Sequence, residues 1–179
     1  MLKKVIVFFF YLFFFLLIPP RFNFLQSQPV NLIQEKVEYN LPYPGILPDH
    51  PLFFIKEVRD KILELTTRNN LKKAELYLLF SDKRVGMAMS LAKNGKDKQA
   101  VKAFLQAEQY FLKIPPLMET SKKQGVSASS DLIQRLKLSN AKHKETGEGF
   151  LKDLPQGQNE GVNDALDLNQ QIKRKIEKL

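Results

Sequence analysis

The pattern of hydrophobic and polar residues divides the 179-residue chain into one continuous apolar run near its start and a series of amphipathic segments after it. In these later segments, apolar residues recur at intervals of three and four, which is typical of helices that bury one face. The pattern predicts helices over about residues 52–65, 71–94, 97–114, 130–145 and 162–178. The expected fold is therefore all-α, an antiparallel helical bundle of about five helices.

Turn signals separate these helices and suggest how they pack. Gly95 lies between the second and third helices, whose alanine-rich seams favour close packing as an antiparallel hairpin. The proline pair at 115–116 is expected to end the third helix. Ser129 or Ser130 is expected to cap the fourth helix, and the glycines that begin with Gly147 are expected to interrupt that helix after about residue 145. Large side chains of the hairpin are expected to fill the core: Phe80, Met87, Met89, Phe104 and Phe111.

The first helix carries a regular apolar stripe, and Asp49 or His50 can cap it, with Pro51 in its first turn. This stripe is expected to cover one groove of the hairpin, so that residues 51–114 form a three-helix core. Residues 115–179 would then supply a loop and two C-terminal helices, which either pack on this core or stand free. The stripe consists of Leu52, Ile55, Val58, Ile62 and Leu65.

The apolar run near the start has the features of an export signal. Lys3 and Lys4 precede it, it continues without a polar interruption from Val5 to Ile18, and two prolines follow. As a helix its 14 residues would span about 21 Å, which is short of the ~30 Å hydrocarbon core and suits a secretory signal. Residues 1–20 are therefore either a retained signal anchor or a cleaved signal peptide, with the rest of the chain outside the cytoplasm. The anchor would contact the bilayer through residues 5–18, including Val5, Phe10, Phe15 and Ile18.

A tether over residues 21–38 and a proline-rich arm over residues 39–50 are expected before the helices, the arm opening a helical domain over 39–179. Prolines exclude a helix or a central strand in the arm, so it should lie extended against the bundle, with Gly45 in a turn. Its Tyr43 is interpreted as part of a lid, with an interaction surface as the alternative. The arm pattern is made by Pro42, Tyr43, Pro44, Gly45, Pro48 and Pro51.

Composition and charge exclude several classes of protein. The absence of cysteine excludes disulfide scaffolds, thiolate metal sites and cysteine nucleophiles, and two histidines are too few for a histidine-rich metal cage. The net charge of +9 is spread along the chain, so no nucleic-acid partner is expected.

The remaining candidate residues do not form a recognisable site. The pairs Asp60 with Glu64 and Glu75 with Asp82 have helical spacing, but basic neighbours favour a solvated ion-pair surface. His143 is expected on an exposed helix face. We therefore expect no catalytic residues, metal or cofactor, and no enzymatic activity.

Two segments carry a resemblance to a known family. The segment from Leu41 to Lys56 contains a Pro-Gly-x-x-Pro-x-x-Pro-Leu arm that leads into a helix, and the helix from Leu71 to Arg84 continues the similarity. Together with the hairpin and the Leu-Lys-Asp-Leu-Pro155 stretch, residues 39–179 resemble domain of unknown function family 5667. The resemblance implies an exported or membrane-anchored helical protein of bacteria or archaea. It implies no activity and no functional residues.

The sequence thus indicates a location more than an activity. We expect a single-pass membrane protein whose C-terminal domain lies outside the cytoplasm, or a secreted domain if the leader is cleaved. Its expected function is a structural or protein-interaction module at the cell envelope, binding an envelope protein or a second copy of itself. The alternative is a sensor domain that binds a cation or small ligand without catalysis.

Overall fold

The computed structural model describes residues 36–179, and all regular structure within this range is helical. The all-α prediction is confirmed for these residues, with a short 3-10 helix at Gln156–Gln158 in addition to the α-helices. The six α-helices are α1 (Phe53–Thr66), α2 (Asn70–Lys93), α3 (Asp97–Leu112), α4 (Ile114–Lys123), α5 (Ser130–Asp153) and α6 (Asn159–Ile176).

The predicted membrane residues Val5, Phe10, Phe15 and Ile18 lie outside the described residues, as does most of the predicted tether. Within residues 36–179, no helix combines the length and the apolar character that are needed to cross a bilayer.

Four helices form the body of the molecule as two hairpins packed side by side. Gly95, whose φ of 69° suits glycine, turns α2 into α3, and the short 3-10 helix turns α5 into α6. Helix α2 contacts α5, and α3 contacts α6. Glu75 of α2 contacts Arg135 of α5, and further along both helices Asp82 contacts Ser139. Because the residue numbers increase in the same direction in both helices, α2 and α5 run parallel. Antiparallel packing is thus found within each hairpin, and the C-terminal helices complete the core.

The prediction of a loop directly after residue 114 is wrong, since a helix begins there, and α5 extends further than predicted. Both differences have clear physical reasons. The Pro-Pro pair at 115–116 does end α3, but it occupies the first turn of α4, where a helix has no use for the missing N–H groups. Helix α5 continues through Gly147 and Gly149 to Asp153. Gly147 is used for close packing, because a Cβ atom there would lie 2.6 Å from Leu166 and 2.9 Å from the Phe104 ring.

The apolar core has two parts, one at each end of the bundle. Near the Gly95 turn, Met87 and Phe104 pack with Phe150 and Val162, and at the other end Phe80, Phe111 and Ile114 pack with their own neighbours. The core prediction is therefore confirmed for Phe80, Met87, Phe104 and Phe111. It is wrong for Met89, which is 43% exposed because it lines an open cavity between the arm and α2.

The first helix is oriented opposite to the prediction. Its apolar stripe faces solvent, with Val58 55% and Leu65 71% exposed, while Lys56 and Asp60 are its buried residues. The expectation that the stripe covers the hairpin is wrong, because α5 and α6 already cover the apolar side of α2 and α3. The surface left for α1 offers polar partners, among them the Pro44 carbonyl and the Tyr77 hydroxyl.

Two glycines of α5 provide a matched test of this packing. We expect Gly147→Ala to lower the free energy of unfolding by about 1–3 kcal/mol, since the fully buried Phe104 ring has no space to move into. We expect Gly149→Ala to raise it by about 0.5–1 kcal/mol, because no atom lies within 4 Å of the added methyl group. Chemical denaturation measures both. Equal effects would contradict the close approach at Gly147.

Candidate functional site

A layer of buried polar side chains separates the two apolar parts of the core. Each of the four body helices contributes to it, and every member is less than 5% exposed. Because the layer surrounds the ring of His143, we call it the histidine layer. Its members are Asp82 of α2, Glu108 of α3, Ser139, Asn140 and His143 of α5, and Asn169 of α6.

His143 is held between two carboxylates and has no exposed surface. Its Nε2 lies 3.0 Å from Asp82 Oδ1, and its Nδ1 lies 2.8 Å from Glu108 Oε1. Since a carboxylate accepts hydrogen bonds, this geometry places a proton on each ring nitrogen. Burial alone would lower the pKa of His143, but the charges and hydrogen bonds of Glu108 and Asp82 outweigh it and raise the pKa to about 9. The ring is therefore an imidazolium at neutral pH.

Amide and hydroxyl groups complete the layer. Ser139 Oγ donates to Asp82 Oδ1 over 2.6 Å, and Asn169 Nδ2 donates to Glu108 Oε2 over 3.3 Å. Asn140 and Asn169 also donate to each other's backbone carbonyl, at 3.1 and 3.0 Å, which joins α5 to α6. These bonds compensate the cost of burying charged groups.

The arm reaches the histidine layer from the surface through Tyr39. Its hydroxyl donates to Asp82 Oδ2 over 2.6 Å, and burial followed by the charge of Asp82 raises the pKa of Tyr39 above its ordinary range. Nearby, the Val37 amide donates to Glu145 of α5 over 3.1 Å. A Cβ atom at Gly86 of α2 would meet Pro44 at 3.5 Å, so the arm lies close against α2. The end of the tether and the start of the arm therefore join α2 to α5.

The other arm residues have different surroundings. Tyr43 is 83% exposed, and Gly45 adopts a φ of 72°, the turn conformation expected for it. Pro48 lines a small cavity beside Phe53. Pro51 is exposed at the turn that leads into α1. Pro42 and Pro44 pack at Gly86. The proline pattern of the arm therefore has one part that is packed against α2 and another part that is exposed.

Three charged residues expected at the surface are buried. His143 lies in Lys142-His143-Lys144, and this basic surrounding led to the prediction that the residue is exposed. Asp82 and Asp60 are each 3% exposed, and Asp82 serves the histidine layer. A signal for His143 was present in the spacing of α5, since Leu136, His143 and Phe150 recur at seven-residue intervals on one helix face.

The carboxylates considered for cation binding already have partners. Asp60 pairs with Arg59, Glu75 pairs with Arg135, and Glu64 accepts from Tyr77 and Lys113. Burial alone would raise the pKa of Glu64, but these hydrogen bonds outweigh it and lower the pKa. Among residues 36–179, no group of three or more His, Asp or Glu side chains is arranged to hold a metal ion.

The underside of α1 is polar, which leaves its apolar side without a partner in the described part of the chain. Lys56 Nζ donates to the Pro44 carbonyl over 2.6 Å, and burial lowers the pKa of Lys56 to about 8. Glu64 attaches the far end of the helix through Tyr77 at 2.8 Å. We call the outward side the α1 apolar face, defined by Phe54, Ile55, Val58, Ile62 and Leu65, all more than half exposed.

Fold and site together define a helical bundle that is closed around a buried charged layer and presents one uncovered apolar helix face. The model of the family described as a domain of unknown function (DUF5667) matches residues 45–179, and the chain belongs to this family. The match confirms the resemblance found in the sequence. No curated protein and no solved structure matches the chain.

Tyr39 and Tyr43 allow a controlled test of the arm's attachment. We expect Tyr39→Phe to lower the free energy of unfolding by about 2 kcal/mol, because the variant loses the hydrogen bond that the Tyr39 hydroxyl donates to the charged carboxylate of Asp82. Tyr43→Phe, at an 83% exposed position, should leave it unchanged. Urea denaturation gives both values, and equal stability of the two variants would show that the Tyr39 contact does not hold the arm.

The protonation of His143 can be observed directly by NMR. We expect its imidazole to keep both ring protons at pH 8 and to titrate near pH 9, with His50→Gln used to assign the two histidines. Because this pKa lies above the ~6.5 of an unfolded histidine, the stabilisation is complete below about pH 6.5 and is lost as the pH rises through 9. A neutral ring at pH 7 would refute the assignment.

Proposed function

We propose that this protein is a membrane-anchored interaction module at the cell envelope, without enzymatic activity, whose docking surface is the α1 apolar face. One observation carries the proposal: the apolar side of α1 points away from the body of its own domain. Large apolar surfaces that a domain leaves uncovered are typical of sites that bind a membrane or another protein.

The proposed location rests on the leader. Lys3 and Lys4 followed by an uncharged run from Val5 to Ile18 favour insertion with the N-terminus on the cytoplasmic side. Residues 36–179, which form one compact unit, would then lie outside the cytoplasm. The absence of cysteine is compatible with an oxidising compartment.

The proposed lack of enzymatic activity rests on how the histidine layer is used. Both nitrogens of His143 are bonded to carboxylates, and the ring is fully buried, so it has no nitrogen to offer a substrate. A general base must come within hydrogen-bond reach of the proton that it removes. The alternative of a cation or ligand sensor has no specific observation in its favour, since Asp60, Glu64, Glu75 and Asp82 are all paired.

Photo-crosslinking of the full-length chain in its native envelope tests this proposal. A photoreactive residue at Val58 should crosslink to a membrane lipid or to another envelope protein. One at Gln170, an exposed polar position on α6, should give no such crosslink. We expect the protein in the membrane fraction with Met1 retained. A soluble protein that starts near Gln28 would contradict the anchor, and equal labelling at the two positions would contradict the docking surface.

A further inference from the structure

The α1 apolar face has a basic border on each side. Successive residues are about 100° apart around a helix, which places Arg59 on one edge of the face and Lys61 on the other. Their side chains are 55% and 65% exposed. The acidic partners Asp60 and Glu64 lie toward the body and are 3% and 13% exposed. The third acid of α1, Glu57, is exposed beyond the Lys61 edge, where it lines a small cavity with Lys102. The positions that directly border the apolar face are therefore basic.

The basic character continues past the end of α1. Residues 59–73 contain five basic and two acidic side chains, and the two acids are the pair directed at the body. Arg68 and Lys72 are exposed. An apolar helix face bordered by exposed Lys and Arg is the pattern of helices that lie in the interface of an anionic bilayer.

The same charges disfavour two other occupants of the α1 apolar face, namely the same face of a second copy and the apolar run of the leader. If two α1 faces paired across a two-fold axis, the Arg59 and Lys61 borders of the two copies would be brought together, and like charges in contact cost binding energy. The apolar run Val5–Ile18 carries no charge, so it offers no partner to the exposed cations of this surface. Asp60 and Glu64 balance Arg59 and Lys61, and the excess positive charge comes from residues such as Arg68 and Lys72. Lipid phosphates complement this excess.

The chain keeps α1 near the membrane if the leader is inserted. Ile18 ends the apolar run, and 17 residues separate it from Lys36, the first described residue. Fully extended, they reach at most about 60 Å. A tether of this length keeps α1 at a high effective concentration beside the bilayer.

We propose that α1 lies along an anionic bilayer surface, with its apolar face at the boundary of headgroups and acyl chains and with Arg59 and Lys61 at lipid phosphates. This contact is additional to the one through residues 5–18, and it rests on the proposed function because it requires a domain held at a membrane. Two contacts, one in the leader and one in α1, fix the orientation of the bundle relative to the bilayer.

Site-directed spin labelling tests the proposal on the full chain, because the protein contains no cysteine of its own. Ile62→Cys and the control Gln170→Cys are labelled with a nitroxide and placed in vesicles of phosphatidylglycerol and phosphatidylcholine. We expect the label at 62 to collide with oxygen and to be shielded from a water-soluble nickel complex. The label at 170 should show the reverse. In phosphatidylcholine alone, or at high salt, the label at 62 should become accessible to nickel.

Charge variants separate lipid binding from simple hydrophobic contact. Arg59→Gln with Lys61→Gln should restore nickel access at position 62 in the anionic vesicles. Arg174→Gln with Lys175→Gln, an equal change in charge on α6, should not. Unchanged circular dichroism confirms that each variant remains folded.

Three results would overturn the proposal. Nickel access at 62 in anionic vesicles would show that α1 stays in water, and shielding from both reagents would show that protein covers the face. If one of these two results is obtained and the protein still floats with the vesicles, the bilayer contact of α1 is refuted while the membrane anchor in the leader is retained. A full-length protein that does not float would overturn the anchor and the inference together.

Discussion

The interaction of the His143 imidazolium with two carboxylates in the centre of the bundle is the constraint on which the rest of the structure depends. Three charged groups that are almost completely buried are tolerated only if each keeps its hydrogen bonds, and these come from four different helices. A shift of one helix by a single turn would leave Asp82 or Glu108 without its partner. The layer therefore selects one register for α2, α3, α5 and α6, while the apolar clusters on either side supply the burial.

The orientation of α1 follows from this layer through a short chain of polar contacts. Tyr39 binds Asp82, the arm then lies over Gly86, and the Pro44 carbonyl receives the ammonium group of Lys56. Because Lys56 lies on the underside of α1, the opposite side of that helix, which is apolar, must face outward. The polar centre of the domain and its apolar docking face are thus linked by the arm.

Sequence patterns predicted every α-helix except α4, because periodicity and turn residues act locally. The cap at Ser129 and the turn at Gly45 were found in this way. The direction of α1 could not be predicted, since periodicity indicates that its apolar residues share a face but not what that face contacts. Similarly, the partners of His143 are 35 and 61 residues away, and no local pattern connects them.

The central claim is that the histidine layer holds four helices as one unit, to which α1 is attached by a few polar contacts and by Phe53 at its first turn. Native-state hydrogen exchange on residues 36–179 without lipid measures this directly. We predict that the amides of α2, α3, α5 and α6 exchange slowest and only through global unfolding, while those of α1 exchange much faster through local opening. Equal protection of α1 and α2 would contradict the account, because α1 would then be part of the cooperative core.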